Sequence, residues 1–563
     1  MRYLLLSGWM LFLGFTAVAQ PKADTSWKKN YRETPARINN LVHTKLDVKP
    51  DFSKSHLIGK AWISLKPHFY PTDSLTLDAK GMEFRKVAIL KAGKVKDLQY
   101  QYDDFQLKIK LDQTYKNTET YTVYIEYTAK PNEFEEKYAE NSMLGIKGMY
   151  FINPLGEEKD KPTQIWTQGE TESNSAWFPT IDKTNQKTTQ EISVTVDNKF
   201  VTLSNGKLVT QKKNSDGTRT DTWKMELPHA PYLFFLGVGE YAVVKDSWKG
   251  KEVNYYVEPA YAPVAKKIFG LTPEMMSFFS KITGVEYPWP KYSQITGRDY
   301  ISGAMENTTA TLHSDMAQQT ARQLVDGNGW ESVIAHELFH HWFGDYVTTE
   351  SWSNITVNES FADYSELLWF EYKYGKDAGD AENNNGMQNY LQSNSEKKDL
   401  VRFYYADKED VFDAVSYQKG GRILHMLRNY VGDSAFFKAI NNYLVTNKFK
   451  SAEAHQLRLA FEEVTGRDLN WFFNQWYFSN GHPTVDIDYV YDDAAGKATV
   501  IVKQTQKTGK YFKLPLAIDV YQGAAKTRYN VWAGNAVDSF TVPYTKRPDL
   551  INVDADKVML WVK

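Results

Sequence analysis

From about Asn40 to Tyr241 apolar and polar residues alternate with period two, the mark of strands with one buried face. "LVHTKLDV" sets Val42, Thr44, Leu46 and Val48 on one face, and "EISVTV" and "YLFFLGVGEYAVV" continue the pattern. Turn formers such as "NSDG" at 214–217 separate such runs. The pattern predicts a β-rich N-terminal domain over residues 20–245. Beyond Val253 the spacing becomes helical, in "APVAKKIFGLTPEMMSFFSKITG" and, after "YPWP" at 287–290, in "GRILHMLRNYV" and "LRLAFEEVTG". A mainly α domain is expected over 246–482. After "NGHPT" alternation returns in Val485, Ile487, Tyr489 and Tyr491, and "KATVIV" follows the turn "DDAAG" as a hairpin partner. Residues 483–563 read as a small β-sandwich, and the whole as a multidomain α+β chain without internal repeats.

Composition bounds the picture without naming a chemistry. Single cores stop growing at roughly 250–300 residues, so 563 residues imply several domains. Basic and acidic residues number 67 and 69 with no long run of one sign, which points to neither nucleic acid nor an anionic membrane as partner. Aromatic residues make up 15%; sugar stacking would use them, and the packing of many strands is the plainer reason. No cysteine occurs, which excludes disulfides and a lipid-bearing cysteine. Residues 1–19 carry one early charge at Arg2, an apolar stretch from Leu4 to Phe15, and Ala17, Val18, Ala19. That is a signal-peptide pattern with cleavage before Gln20, and the run is short for an uncleaved anchor. A periplasmic or secreted protein without stable membrane insertion is expected.

The chemistry concentrates in "HELFHHWFGDYVTTESWSNITVNES" at 336–360. His336 and His340 are four apart and share one helical face, with Glu337 beside them. Asn328 before Glu331 and Gly344 beyond predict a helix over 330–343. Catalytic zinc takes three protein ligands and keeps one position open. Glu359, on a second predicted helix, is the candidate third ligand. The five-residue motif alone should occur by chance in on the order of one in a hundred chains of this length. A buried helix with merely hydrogen-bonded histidines would give the same letters. His341 points roughly 100° away from His340 and reads as a packing or surface residue.

Together, "HELFH", the glutamate within "NES" and "GAMEN" at 303–307 resemble the aminopeptidase N family of zinc metallopeptidases, in the family's order and spacing. The family also includes a leukotriene hydrolase with aminopeptidase activity. The N-terminal "LDVKPDFSKSHLIGKAWISL" resembles its first β-domain and 246–480 its thermolysin-like catalytic domain; the long C-terminal helical domain of many members is missing.

The resemblance implies one Zn2+ per chain on His336, His340 and Glu359, with Glu337 as general base. It implies that Gly303, Ala304, Met305, Glu306 and Asn307 bind substrate, with Glu306 anchoring a free peptide amine. "TQGETESNSAWFPTID" puts a second amine contact at Glu170, although Ser173, Asn174 and Ser175 depart from the family pattern. "SYQKGG" puts an oxyanion-stabilising hydroxyl at Tyr417. Glu366 matches a carboxylate that supports a ligand histidine, and Asp363 is an alternative supporter. Ser360 and Asp345 stand where members more often have glycine and asparagine. The expected function is removal of N-terminal residues from peptides with a free N-terminus, by a chain that is a monomer if anything. Lipid epoxide hydrolysis, endopeptidase action and a vestigial binding protein are the alternatives.

Overall fold

The structure, a computed structural model, describes residues 30–138, 146–300 and 302–563. The expected signal segment, residues 1–19, lies outside them.

The N-terminal region is built on an eight-stranded sheet. Its strand Asn39–Asp51 pairs antiparallel with His56–Pro67 and parallel with Thr188–Asp197. Thr44, Leu46 and Val48 turn inward as the alternation predicts, but Val42 is 38% exposed and Leu41 is buried instead. A register shift between Leu41 and His43 is the reason: one extra residue at a bulge flips the faces. "YLFFLGVGEYAVV" is likewise not one continuous strand. Pro231–Leu233 form a 3-10 turn, and Leu236–Gly239 join a four-stranded sheet with Val201–Ser204, Gln164–Thr167 and Met149–Ile152.

The remainder of that segment opens a second sheet, made of β1 (Ala242–Trp248), β2 (Lys251–Val257), β3 (Tyr292–Gly297), β4 (Ala304–Met305) and β5 (Ala310–Ser314), in the order β1-β2-β3-β5-β4. The division expected at residue 245 therefore falls inside β1, whose pairing with β2 starts at Ala242. Local alternation continues across this point, so only the change of sheet marks it. One face of this sheet, with Tyr256, Ile295 and Leu312, packs into the N-terminal core. The other, with Tyr255, Val257 and Tyr292, packs into the helical core.

Three helices frame the region between: α1 (Glu331–Phe339), α2 (Thr356–Tyr374) and α3 (Gly420–Val431). The expected C-terminal hairpin forms, paired from Val485↔Gln504 to Asp492↔Lys497, within two packed three-stranded sheets. These strands share a continuous apolar core with the helices. Buried Arg422 of α3 donates from Nη2 to the carbonyls of Lys557, Val558 and Met559. Among the described residues no helix is long and apolar enough to cross a membrane.

Candidate metal centre and substrate cleft

Seven of the nine residues of helix α1 are buried, Glu331, His336 and Glu337 among them, so it runs through the interior and carries its polar residues with it. It is shorter than the sequence predicts. Trp330 occupies the N-cap position without a side-chain cap, and Asn328 instead accepts a hydrogen bond from the Trp330 amide. At the other end the helix stops at Phe339, and His340 keeps a helical backbone as the C-cap with its amide bonded to the His336 carbonyl. The i, i+4 relation survives, and the two imidazole rings lie 4.9 Å apart.

Glu359 arrives from the first turn of α2, where the helix dipole favours a carboxylate. Its Oε2 lies 3.5 Å from His336 Nε2 and 3.4 Å from His340 Nε2. The outer ring nitrogens are engaged: His336 Nδ1 with Glu366 Oε1 at 2.8 Å, and His340 Nδ1 with the Phe343 carbonyl at 3.0 Å. Both acceptors favour the Nδ1–H tautomer, which leaves each Nε2 lone pair facing inward. Asp363, the alternative supporter of His336, instead accepts from Gln418 Nε2.

These donors fit a metal ion. Two imidazole nitrogens and one carboxylate oxygen, all within 4.8 Å of one another, are a ligand set zinc accepts, and a tetrahedron with bonds of about 2.1 Å has edges of about 3.4 Å. Glu359 Oε2 is buried without a hydrogen-bond donor. Considered among protein groups alone, burial opposes ionisation of Glu359, yet His340 and His336 hold it down to about 2. His340 is pushed up to about 9, with burial opposed by Glu306 and Glu359. Burial, with Glu306 and Glu359 adding, drives Glu337 up to about 8 against the pull of both histidines. The pocket is one that recruits positive charge.

A second set of carboxylates sits beside the first. Glu306 follows edge strand β4, which pairs Ala304 with His313 and Met305 with Leu312. Gly303 enters that strand with φ +77°, a left-handed conformation that favours glycine. Glu170 comes from the loop after Gln164–Thr167. Glu170, Glu306 and Glu359 bring carboxylate oxygens within 4.8 Å of one another. Glu170 Oε1, Glu306 Oε1 and Glu337 Oε2 are buried without partners. Burial and neighbouring carboxylates raise Glu170 well above its ordinary range.

Tyr417 completes the ring of groups. It lies in a single π-helical turn, Val415–Lys419, that leads into α3, and its ring stacks on His336 at 5.9 Å. Such turns aim a side chain that regular helix would point elsewhere. Burial and the surrounding glutamates hold its phenol well above 10, so it remains a hydrogen-bond donor.

All these side chains line one cavity of about 230 Å³, with Gly303 and Ala304 in its wall. Met305 and Asn307 do not line it: Met305 packs into the N-terminal core and accepts from Gln168 Nε2, and Asn307 is fully buried. Ser302 and Val333 do line it, and neither carries a motif that sequence reasoning could use. Gln168 was also missed; it bridges Tyr300 and Met305 behind Glu170, and its one sequence signal is its place in "TQGE". His341 is buried, accepts from the Thr309 amide at Nε2 and donates from Nδ1 to the Glu337 carbonyl. It ties α1 to the turn after β4 and stays neutral, because burial drives it down to about 3.

Comparison with known proteins places this arrangement. Residues 36–233 match the Peptidase M1 N-terminal domain and residues 268–476 the Peptidase family M1 domain, together more than two-thirds of the chain. The chain belongs to the M1 peptidase family. Glutamyl aminopeptidase of Bos taurus is 26% identical over 471 residues, covering 79% of this chain and 47% of that protein. Aminopeptidase M1 of Arabidopsis thaliana is 28% identical over 359 residues, covering 62% and 41%. The M1 chain described here thus spans less than half the length of these relatives. Its fold is shared with Legionella pneumophila aminopeptidase A, solved in complex with aspartic acid: TM-score 0.77 at 17% identity, covering 95% of this chain and 60% of that one.

Proposed function

We propose that this M1 peptidase is a zinc-dependent aminopeptidase that releases the N-terminal residue of peptides. The observation that carries the reading is the contiguity of two differently built sites: a His336–His340–Glu359 trio suited to one Zn2+ per chain, and the unpartnered carboxylates of Glu170 and Glu306 beside it. Bound zinc supplies Lewis acidity, which makes water acidic enough to lose a proton near neutral pH.

The chain's own residues supply the rest. Glu170 and Glu306 bind the substrate ammonium, whose pKa of about 8 keeps it largely cationic at neutral pH. That contact fixes the first peptide carbonyl at the cleft floor and selects chain ends over interiors. Glu337 removes the proton of the attacking water and returns it to the departing nitrogen. The Tyr417 hydroxyl donates to the oxygen that gains charge, an interaction worth about 3 kcal/mol when its geometry is good. Glu366 holds His336 in the tautomer that keeps Nε2 free.

A carboxylate-lined cavity of about 230 Å³ favours an amine over a long apolar lipid, which speaks against epoxide hydrolysis. The amine anchor speaks against an endopeptidase. Export through residues 1–19 to a periplasm or the medium completes the reading and rests on the sequence pattern alone.

The test compares one short peptide with its N-acetyl form, using zinc-loaded protein and mass spectrometry of products. Release of the first residue from the free peptide alone is expected. Equal cleavage of both forms would remove the amine-binding role of Glu170 and Glu306.

A further inference from the structure

We infer, resting on the aminopeptidase reading, that Ser360 is a positioning residue whose hydroxyl holds the turn carrying Tyr417 in register with the metal site.

Glu359 and Ser360 are consecutive on α2. A step of about 100° per residue sends them to different neighbours. Glu359 faces His336 and His340, and Glu366, two turns on, meets His336 from the same side. Ser360 and Asp363, one turn apart, instead face the π-helical turn Val415–Lys419. Ser360 Oγ donates to the Ser416 carbonyl at 2.7 Å, and Gln418 Nε2 donates to Asp363 Oδ1 at 3.3 Å. The residues on either side of Tyr417 are thus both tied to the helix that supplies Glu359.

The Ser360 contact is the tighter of the two, and Thr356, Ser360 and Ser416 are all buried. A serine hydroxyl has one proton. With that proton given to Ser416, the Thr356 hydroxyl, 2.6 Å from Ser360 Oγ, is left to donate to Ser360. A Cβ added to Gly420 would collide with Ser360 Oγ, so α3 begins hard against this hydroxyl. The other bonds of the turn run to the segment before it: Asp413 Oδ1 accepts from the Val415 amide and from Arg402 Nη2, and the Tyr417 amide donates to the Asp413 carbonyl. Those bonds shape the turn, and the bond to Ser360 places it. Placement matters because the Tyr417 hydroxyl must meet an oxygen whose charge develops in the transition state, where small displacements of a donor are costly. Without Ser360 the buried Ser416 carbonyl loses this donor. Where family members more often have glycine no hydroxyl is on offer, so the contact belongs to this chain.

The experiment is a double-mutant cycle on zinc-loaded protein, with kcat and KM for one free-amine peptide measured in the parent, Ser360→Ala, Tyr417→Phe and the double variant. Ser360→Ala should lower kcat by about tenfold with KM and zinc content unchanged, since the interaction it weakens acts in the transition state. In the Tyr417→Phe background the same substitution should change kcat by less than about twofold. An equal loss in both backgrounds would make Ser360 a packing residue and overturn the inference, as would an unchanged kcat in Ser360→Ala. Either result leaves the aminopeptidase reading intact, whereas no release of the first residue by the parent would strike that reading and the inference together. If Ser360→Ala does not fold, Thr356→Val removes only the donor behind Ser360. A kcat loss of about threefold confined to protein with Tyr417 sustains the inference, and a loss in both backgrounds or in neither overturns it.

Discussion

Glu170 and Glu172 are two residues apart on one loop and live in opposite environments. Glu172 accepts from Lys183 Nζ at 2.6 Å and Trp352 Nε1 at 3.1 Å, with Lys408 Nζ at 3.5 Å. Burial opposes its charge, but Lys183 and Lys408 hold it down to about 2. Glu170 faces the cleft, where one oxygen has no donor and its neighbours Glu306 and Glu359 share its sign. A carboxylate used for stability comes with its cations folded around it. One kept for a ligand is left open, at a cost to the fold, and the ligand supplies the missing charge.

Three substitutions test this contrast. Glu337→Gln removes the proton carrier from the open cluster and keeps its shape. We expect kcat to fall by about 10³-fold or more with zinc content unchanged by metal analysis; loss of zinc would instead make Glu337 a structural part of the metal site. Glu172→Gln strikes the paired environment and leaves Lys183 with only Asp78, 3.7 Å away. Stability in urea should drop by about 2 kcal/mol, below the full loss for a deeply buried pair because the Glu172 side chain retains 16% exposure. kcat/KM should stay within about twofold of the parent, since no charge facing the substrate changes. A drop in activity without a loss of stability would merge the two environments. The pair also fixes a pH dependence. Glu172 has a folded pKa near 2, below its ordinary 4.5, so its contribution is fully present above about pH 4.5 and is lost as the pH falls toward 2. The Glu172→Gln variant should therefore lose less stability on acidification than the parent. The smallest effect belongs to Glu170→Gln, which should lower kcat/KM for free-amine peptides by about tenfold with stability unchanged or raised, because a repelling buried carboxylate is gone. A stability loss like that of Glu172→Gln would show that Glu170 is paired after all.

Much of the site was legible because its signals are local. The four-residue spacing of His336 and His340 places two rings on one helical face whatever surrounds the helix, and the seven-residue spacing from Glu359 to Glu366 spans two turns of another. The hairpin from Val485 was legible for the same reason, since alternation and a turn set its register. Less legible were features in which one backbone irregularity outweighs the periodicity. The bulge at Val42 exchanges inside for outside, the π turn at 415–419 re-aims Tyr417, and α1 ends four residues before the expected stop at 343.

By itself, then, the sequence determined which faces are apolar, which residues share a helix face, and that the chain divides into β-rich, mainly helical and β-rich parts. Only the tertiary structure decided that Glu170, from a loop of the N-terminal region, meets Glu306 and Glu359. It alone decided that His341 ties the Thr309 amide to α1, and that Met305 turns away from the cleft into the N-terminal core. Periodicity records how one element buries its own surface. Which elements bury against each other, and so which charges are left facing one another without partners, depends on the packing of the whole chain.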